Sequence, residues 1–291
     1  VFIALYIIMF HPTIEGIIIT NIFANLLCSL ITMLLRWDYW HLLGYFNKRI
    51  LKKILHFGKY SAASYISSNM LRSSDTIILS LSASMGASAI AIYAIPLKFV
   101  ELVEIPLRSF TATALPKLSH ASTQSKEKFN HLLGSYISVT SLLFFPIVIA
   151  LLFFSSFFLQ LIGGMEYANE IDLQHNILYI TIVYIFLLPF DRYSGVALFA
   201  LEKPKINFIK ILIMLIANII FDLIAVFVFE SLEMVALATV LFTLVGLVVG
   251  WYFIFDITKF RLISIFRFYS SRINYISYNL KTVLDGLSPK K

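Results

Sequence analysis

Apolar runs long enough to cross a hydrocarbon layer recur along this chain at intervals of about thirty residues, and short polar stretches separate them. About twenty helical residues cross the ~30 Å core of a bilayer. Seven runs meet that length, at 13–35, 57–81, 87–115, 132–158, 173–201, 206–229 and 232–257, and residues 1–10 read as the last half of an earlier one. The runs are continuous, without the ten-residue alternation of a transmembrane β-strand. The pattern therefore predicts an all-α polytopic membrane bundle of seven complete spans and one partial span.

The polar stretches carry a second pattern. Loop 36–59 holds Arg36, Lys48, Arg49, Lys52, Lys53 and Lys59, whereas the next loop, 82–86, holds no charge. Lys117, Lys126 and Lys128 then mark 117–128 as basic, while 163–172 carries only Glu166, Glu170 and Asp172. Lys203 and Lys205, with Lys210 a turn later, make the following connection basic, and Glu230 and Glu233 make the one after it acidic. Loops rich in Lys and Arg stay on the cytoplasmic side, so this alternation predicts cytoplasmic placement of the basic loops and of the C-terminal tail, which begins near Lys259.

Composition changes the picture only in detail. The mean hydropathy is +0.87, and the net charge of +7 reads as a consequence of basic loops facing anionic lipid; nucleic acid is not an expected partner. Segments 37–56 and 259–291 interleave aromatic residues with cations, the composition of helices lying in the membrane interface. The predicted organisation is a final partial and a full span of one lobe at 1–36, an interfacial segment at 37–56, a six-helix lobe at 57–258 and a basic tail at 259–291. Because Val1 falls in mid-span, the chain reads as the C-terminal part of a longer protein.

No HExxH, GxxxxGK[ST] or GxSxG motif occurs, the six His are scattered, and Cys28 is alone. Neither an enzyme, a cofactor, a metal site nor an ATP-driven device is expected. The candidate chemistry lies in ionisable residues inside the spans, each of which costs about 3 kcal/mol at mid-membrane unless paired or wet. Arg72 and Asp75 are three apart on one helix. Lys98, Glu101, Glu104 and Arg108 fall within an arc of about 120° at 100° per residue, one charged stripe on an apolar helix. Lys98 can pair with Glu101 and Glu104 with Arg108, and Asp191 and Arg192 follow Pro189. Asp222, near a helix end, reads as an interfacial or hydrogen-bonded residue outside the site. Such a stripe with two further charged pairs implies a hydrated cavity between helices. Pro96, Pro106, Pro146 and Pro189 would kink the spans that hold them.

Residues 51–120 carry a family resemblance. A basic amphipathic lead-in ends at Phe57 and Gly58, Asp75 precedes an apolar run to Leu79, a short turn contains Gly86, Tyr93 sits in the next span, and the span closes with Leu115, Pro116, Lys117, Leu118 and Ser119. This arrangement resembles the start of the C-terminal lobe of polysaccharide and O-antigen flippases, members of the multidrug, oligosaccharidyl-lipid and polysaccharide exporter superfamily. The resemblance implies a two-lobe fold of twelve spans in a bacterial inner membrane. It also implies movement of undecaprenyl-diphosphate-linked oligosaccharide to the outer leaflet by alternating access, during surface polysaccharide or lipopolysaccharide synthesis. Arg72, Lys98, Arg108 and Arg192 would then face the substrate path, and Asp75, Glu101, Glu104 and Asp191 would compensate them or carry a coupling ion. Anionic membrane lipid and the polysaccharide polymerase and glycosyltransferases are the expected partners. A drug or cation exporter of the same superfamily, whose cavity should be acidic and aromatic, and a non-transporting scaffold of a synthesis complex are the competing readings.

Overall fold

The computed structural model describes residues 13–35, 48–82, 85–164, 170–261, 265 and 269. The half-span at 1–10, most of the interfacial segment at 37–56 and nearly all of the tail lie outside them. The chain divides into two compact units, Val1–Leu55 and His56–Lys291. Among the described residues there are eight α-helices and no strand: α1 (Ile14–Leu34), α2 (Lys48–Leu81), α3 (Gly86–Gln124), α4 (Lys126–Phe153), α5 (Ser155–Gly163), α6 (Ile171–Ala200), α7 (Pro204–Phe227) and α8 (Leu232–Thr258).

In the first unit, α1 starts at Thr13, whose hydroxyl accepts from the Gly16 N–H at 3.2 Å, satisfying one of the orphan donors of the first turn. Ile18, Phe23, Leu26, Leu30 and Leu34 are all exposed; apolar side chains on every face are what a helix presents to lipid. The unit also holds the first turns of α2, which run without a break from Lys48 into the predicted span.

The second unit is built around α6, which packs against α3, α4, α5 and α8, while α7 packs on α8. Gly246 and Gly250, four residues apart on α8, set those approaches. Gly246 faces the Met214 side chain of α7, and Gly250 faces Ser194 of α6 and the Lys210 stem of α7. Small residues at this spacing let membrane helices come close. The core seats Tyr193, Leu188 and Ile185 of α6 against Leu107, Leu133 and Ile254, and a second apolar cluster joins Leu79, Tyr93, Ile177 and Val235.

Four helices, α4, α6, α7 and α8, are long and apolar enough to cross a membrane by length and composition. Helices α2 and α3 are longer, 34 and 39 residues, or about 51 and 58 Å at 1.5 Å per residue, and charges interrupt both of them. Two predicted boundaries differ. The expected loop 117–128 is mostly helix, because α3 runs through Pro116 to Gln124 and only Ser125, whose hydroxyl caps the Lys128 N–H, separates it from α4. The expected span 132–158 bends at Phe154, between α4 and α5, where the N–H of Phe154 still bonds Ala150 O and its carbonyl still accepts from Phe158.

Hydrogen bonds gather the basic turns at one end of the bundle. Ser122 donates to Ala200 O at 3.1 Å and Asn130 donates to Thr258 O at 3.0 Å, bringing the α3–α4 turn, the α6–α7 turn and the end of α8 together. At the opposite end Asn176 donates to Glu233 at 2.7 Å. The charge alternation of the sequence is therefore a segregation of charge between two ends.

Candidate functional site

A cavity of about 740 Å³ opens within the second unit, walled by α2, α3, α6, α7 and α8. Its lining includes all eight residues expected of the path: Arg72, Asp75, Lys98, Glu101, Glu104, Arg108, Asp191 and Arg192. The charged stripe of α3 faces this space, and the polar rows of α2 and α6 face it from other sides.

Glu104 is its electrostatic centre. It lies near the middle of α3 with a side chain 5% exposed. Three guanidiniums from three helices converge on it: Arg108 at 2.8 Å, Arg192 at 2.6 Å, and Arg72, whose Nη2 bonds the same Oε2 that Arg108 reaches. One buried anion thus holds three cations whose outer parts remain half-exposed to the cavity. Lys98 pairs with Glu101 at 3.0 Å on the rim, where both side chains stay exposed and the pair contributes little to stability.

Two expected pairings are replaced. Arg72 and Asp75 share a helix face, yet Arg72 reaches across to Glu104, and Asp75 accepts from Tyr93 (2.9 Å), Asn218 (3.0 Å) and Thr239 (3.3 Å). Asp191 and Arg192, adjacent in sequence, point about 100° apart on α6. Arg192 goes to Glu104, and Asp191 accepts from Lys210 at 2.5 Å. Lys210 is 2% exposed and donates to Ser194 as well. The loop placement expected of Lys210 is therefore corrected: six residues into α7, it is a buried wall residue of the cavity.

Measured from the helix ends, the polar groups form three tiers. Lys210 and Asp191 lie toward the basic end, Glu104 and its arginines in the middle, and Asp75, Tyr93, Asn218 and Asp222 within about two turns of the opposite end. Helix α2 makes few close backbone approaches to the other helices. It is tied to them by its apolar end at Ile78 and Leu79, by Arg72, Ser74 and Asp75 reaching out from its face, and by ring contacts of Phe57 with Phe199 and of Tyr60 with Phe208. No group of three or more His, Cys, Asp or Glu side chains that could hold a metal ion is present among the described residues.

The family model of polysaccharide biosynthesis proteins matches residues 1–172, more than half of the chain. The chain belongs to the polysaccharide biosynthesis protein family. No curated protein matches it by sequence. Its fold is similar to that of a solved structure described as a crystal structure of MATE in complex with MaL6, with a TM-score of 0.61 at 16% identity over 84% of this chain and 56% of that one. The chain thus spans little more than half the length of that structure, and the likeness establishes a shared architecture. This family member is a multi-pass membrane helix bundle, and the resemblance seen in residues 51–120 falls entirely within the matched segment.

Sequence reasoning missed a further group. On α7 of this polysaccharide biosynthesis protein, Asn207, Lys210, Met214, Asn218 and Asp222 lie within an arc of about 120°. Four of the five are polar and all five are buried. That polar row in an otherwise apolar helix was the available signal. Asp222, set outside the site on sequence grounds, is fully buried and accepts from Asn218 at 2.9 Å.

Proposed function

We propose that the chain forms the cavity-bearing lobe of a flippase that carries undecaprenyl-diphosphate-linked oligosaccharide from the cytoplasmic to the outer leaflet by alternating access. The observation that carries this reading is the convergence of Arg72, Arg108 and Arg192 on the single buried carboxylate of Glu104 in the wall of the cavity. A diphosphate and its sugars cannot enter hydrocarbon, whereas a polyprenyl tail can remain there. A wet cavity with a surplus of cations between lipid-facing helices meets both needs.

Guanidinium groups bind phosphate oxygens through two parallel N–H donors, with more directional strength than an ammonium. In the empty cavity Glu104 holds the three guanidiniums at one depth. An arriving diphosphate takes over their outward donors, and Glu104 keeps the inner ones in place. Lys98 with Glu101 at the rim, and Lys210 with Asp191 below, surround the sugar-bearing part of the path. Family membership supports a place in polysaccharide synthesis, and the cation surplus favours an anionic cargo over a cationic drug. The work is translocation, with no bond made or broken. The basic end of the bundle is assigned to the cytoplasm of a bacterial inner membrane, and a polymerase and glycosyltransferases are its partners in synthesis.

The test is complementation of a bacterium lacking its own polysaccharide flippase, with the full-length protein, scoring surface polymer and lipid-linked oligosaccharide retained inside. Restored surface polymer with loss of the retained intermediate is expected. Unchanged retention in a strain that makes the matching oligosaccharide, with the protein present in the membrane, would sink the proposal.

A further inference from the structure

A second cavity, of about 580 Å³, lies at the basic end of the bundle, in the crook where α3 gives way to α4 at Ser125. Lys117, His120 and Gln124 fall within an arc of about 60° on α3, at 100° per residue, and form one wall. Lys128 and His131 of α4 form the other. Leu118, Phe129 and Leu133 of the same two segments are buried in the core, so the turn is anchored while its polar side chains stay exposed.

These walls carry two ammoniums and two imidazoles and no carboxylate. Cations elsewhere have an acid: Lys98 has Glu101, the three arginines share Glu104, Lys210 has Asp191, and Lys259 has Asp256 at this same end. No acid among the described residues pairs with Lys117 or Lys128, and Glu127, in the first turn of α4, lies outside the lining. Gln124 joins the two walls. Its Oε1 accepts from Lys128 Nζ at 3.1 Å, and its Nε2 lies 2.8 Å from His120 Nε2. An ammonium only donates, so the amide oxygen must face Lys128 and the amide N–H must donate to His120. The Nε2 of His120 then accepts, which puts the ring proton on Nδ1. Lys117, the remaining hydrogens of Lys128 and the Nδ1–H of His120 are therefore donors around a space that holds no anion of the chain's own. The positive end of the α4 macrodipole adds to the same field.

We infer that this pocket binds the phosphate headgroup of an anionic membrane lipid. A phosphate offers acceptor oxygens and negative charge to a set of donors that lacks both, and charge-assisted hydrogen bonds of this kind are the strong ones. The floor of the pocket selects a lipid over a free phosphate. Pro116 and Leu132 line it, Leu115 beside them is exposed, and α4 carries no charge from Leu132 to its end. The pocket therefore straddles the boundary between the polar turn and the apolar spans, the level at which headgroup phosphates meet basic side chains. A lipid there has its phosphate among Lys117, His120 and Lys128 and its chains against the apolar faces of α3 and α4. Ser122, in the same turn, donates to Ala200 O of α6, so a bound lipid braces the junction of the α3–α4 and α6–α7 turns. This site lies apart from the charged cavity and does not depend on the transport reading.

The test is native mass spectrometry of the purified full-length protein in detergent, with phosphatidylglycerol or phosphatidylcholine added at matched concentration. Lys117→Gln with Lys128→Gln removes two cations of the pocket. Lys203→Gln with Lys205→Gln removes the same charge from two exposed positions on the neighbouring basic turn. Phosphatidylglycerol should be retained by the wild type in preference to phosphatidylcholine, at least tenfold more weakly by the first double variant and undiminished by the second. Equal retention by the two double variants would reduce the effect to the general attraction of a basic surface and overturn the inference. Absence of any preference for phosphatidylglycerol in the wild type overturns it as well, whatever becomes of the variants. Inorganic phosphate, titrated at constant ionic strength and read by Tm, distinguishes the source. A rise that needs Lys117 and Lys128, in a protein showing no preference between the two lipids, would overturn the lipid assignment and place a soluble phosphate in the pocket.

Discussion

The Lys210 ammonium lies 2.5 Å from the Asp191 carboxylate between α6 and α7, with the two side chains only 3% and 12% exposed. Ser194 and the Asp191 carbonyl accept from the same ammonium, at 2.7 and 3.2 Å, so all three of its donors are used. A buried pair of this kind adds little over an apolar replacement, but loss of one partner strands the other charge at a cost of about 3–5 kcal/mol.

Lys210→Met should therefore lower the Tm of the purified protein by many degrees, whereas Lys210→Met combined with Asp191→Leu should recover most of the loss. Thermal unfolding of the two single variants and the double variant gives the coupling directly. Additive losses would show that the two side chains do not interact.

Glu104→Gln has a different expected outcome, although Glu104 has more partners. The groups it would release are the guanidiniums of Arg72, Arg108 and Arg192, which are 51%, 63% and 39% exposed and can turn into the cavity water. Its stability cost should be about 1 kcal/mol, the scale of an ordinary lost hydrogen bond. Its effect on transport should exceed its effect on Tm, because the three cations lose the group that sets their common depth. Comparison of Tm with the rate of flipping in the same preparation separates the two.

These contrasts mark what the sequence could and could not disclose. The helical spans, the charge alternation and the eight charged residues facing the cavity followed from periodicity and from the cost of charge in hydrocarbon. The partners did not. Spacing along one helix reveals only neighbours on that helix, which is why Lys98–Glu101 and Glu104–Arg108 were legible while Arg72–Glu104 and Lys210–Asp191 were not. Lys210 follows Lys203 and Lys205 by one to two turns, so loop charge obscured it. The row from Asn207 to Asp222 was visible in the spacing, but amides weigh little in a hydropathy pattern.

Close approach of α8 to α6 and α7 rests on two glycines. A methyl group at Gly250 would come within 2.8 Å of Ser194 Oγ and 3.3 Å of Lys210 Cδ, so Gly250→Ala should destabilise the protein by about 1–3 kcal/mol, as overpacking does. Gly58 has open space around its Cα within helix α2, and Gly58→Ala should raise stability by about 0.5–1 kcal/mol. Opposite shifts in Tm for these two identical changes are the expected reading.

Cys28 is the single cysteine of this chain, and Cys28→Ser belongs in the cysteine-free background of the full-length protein. In that background Lys128→Cys, at the basic end, should be blocked from membrane-impermeant maleimide in intact cells and labelled after lysis. Val228→Cys, exposed at the far end of α7, should be labelled in intact cells. The reverse pattern would invert the topology and place the Asp75–Asp222 tier on the cytoplasmic side.

The cationic cavity as the path of a lipid-linked diphosphate is tested most directly by reconstitution. Full-length protein in proteoliposomes would be given undecaprenyl-diphosphate-linked oligosaccharide in one leaflet, and its arrival in the other would be timed for wild type and for Arg72→Ala with Arg108→Ala. Both arginines are more than half exposed, so the fold should survive the double change. The account predicts protein-dependent flipping that falls at least tenfold in the double variant at unchanged Tm, about 1.4 kcal/mol of lost stabilisation or more. Equal rates in the two proteins would contradict it.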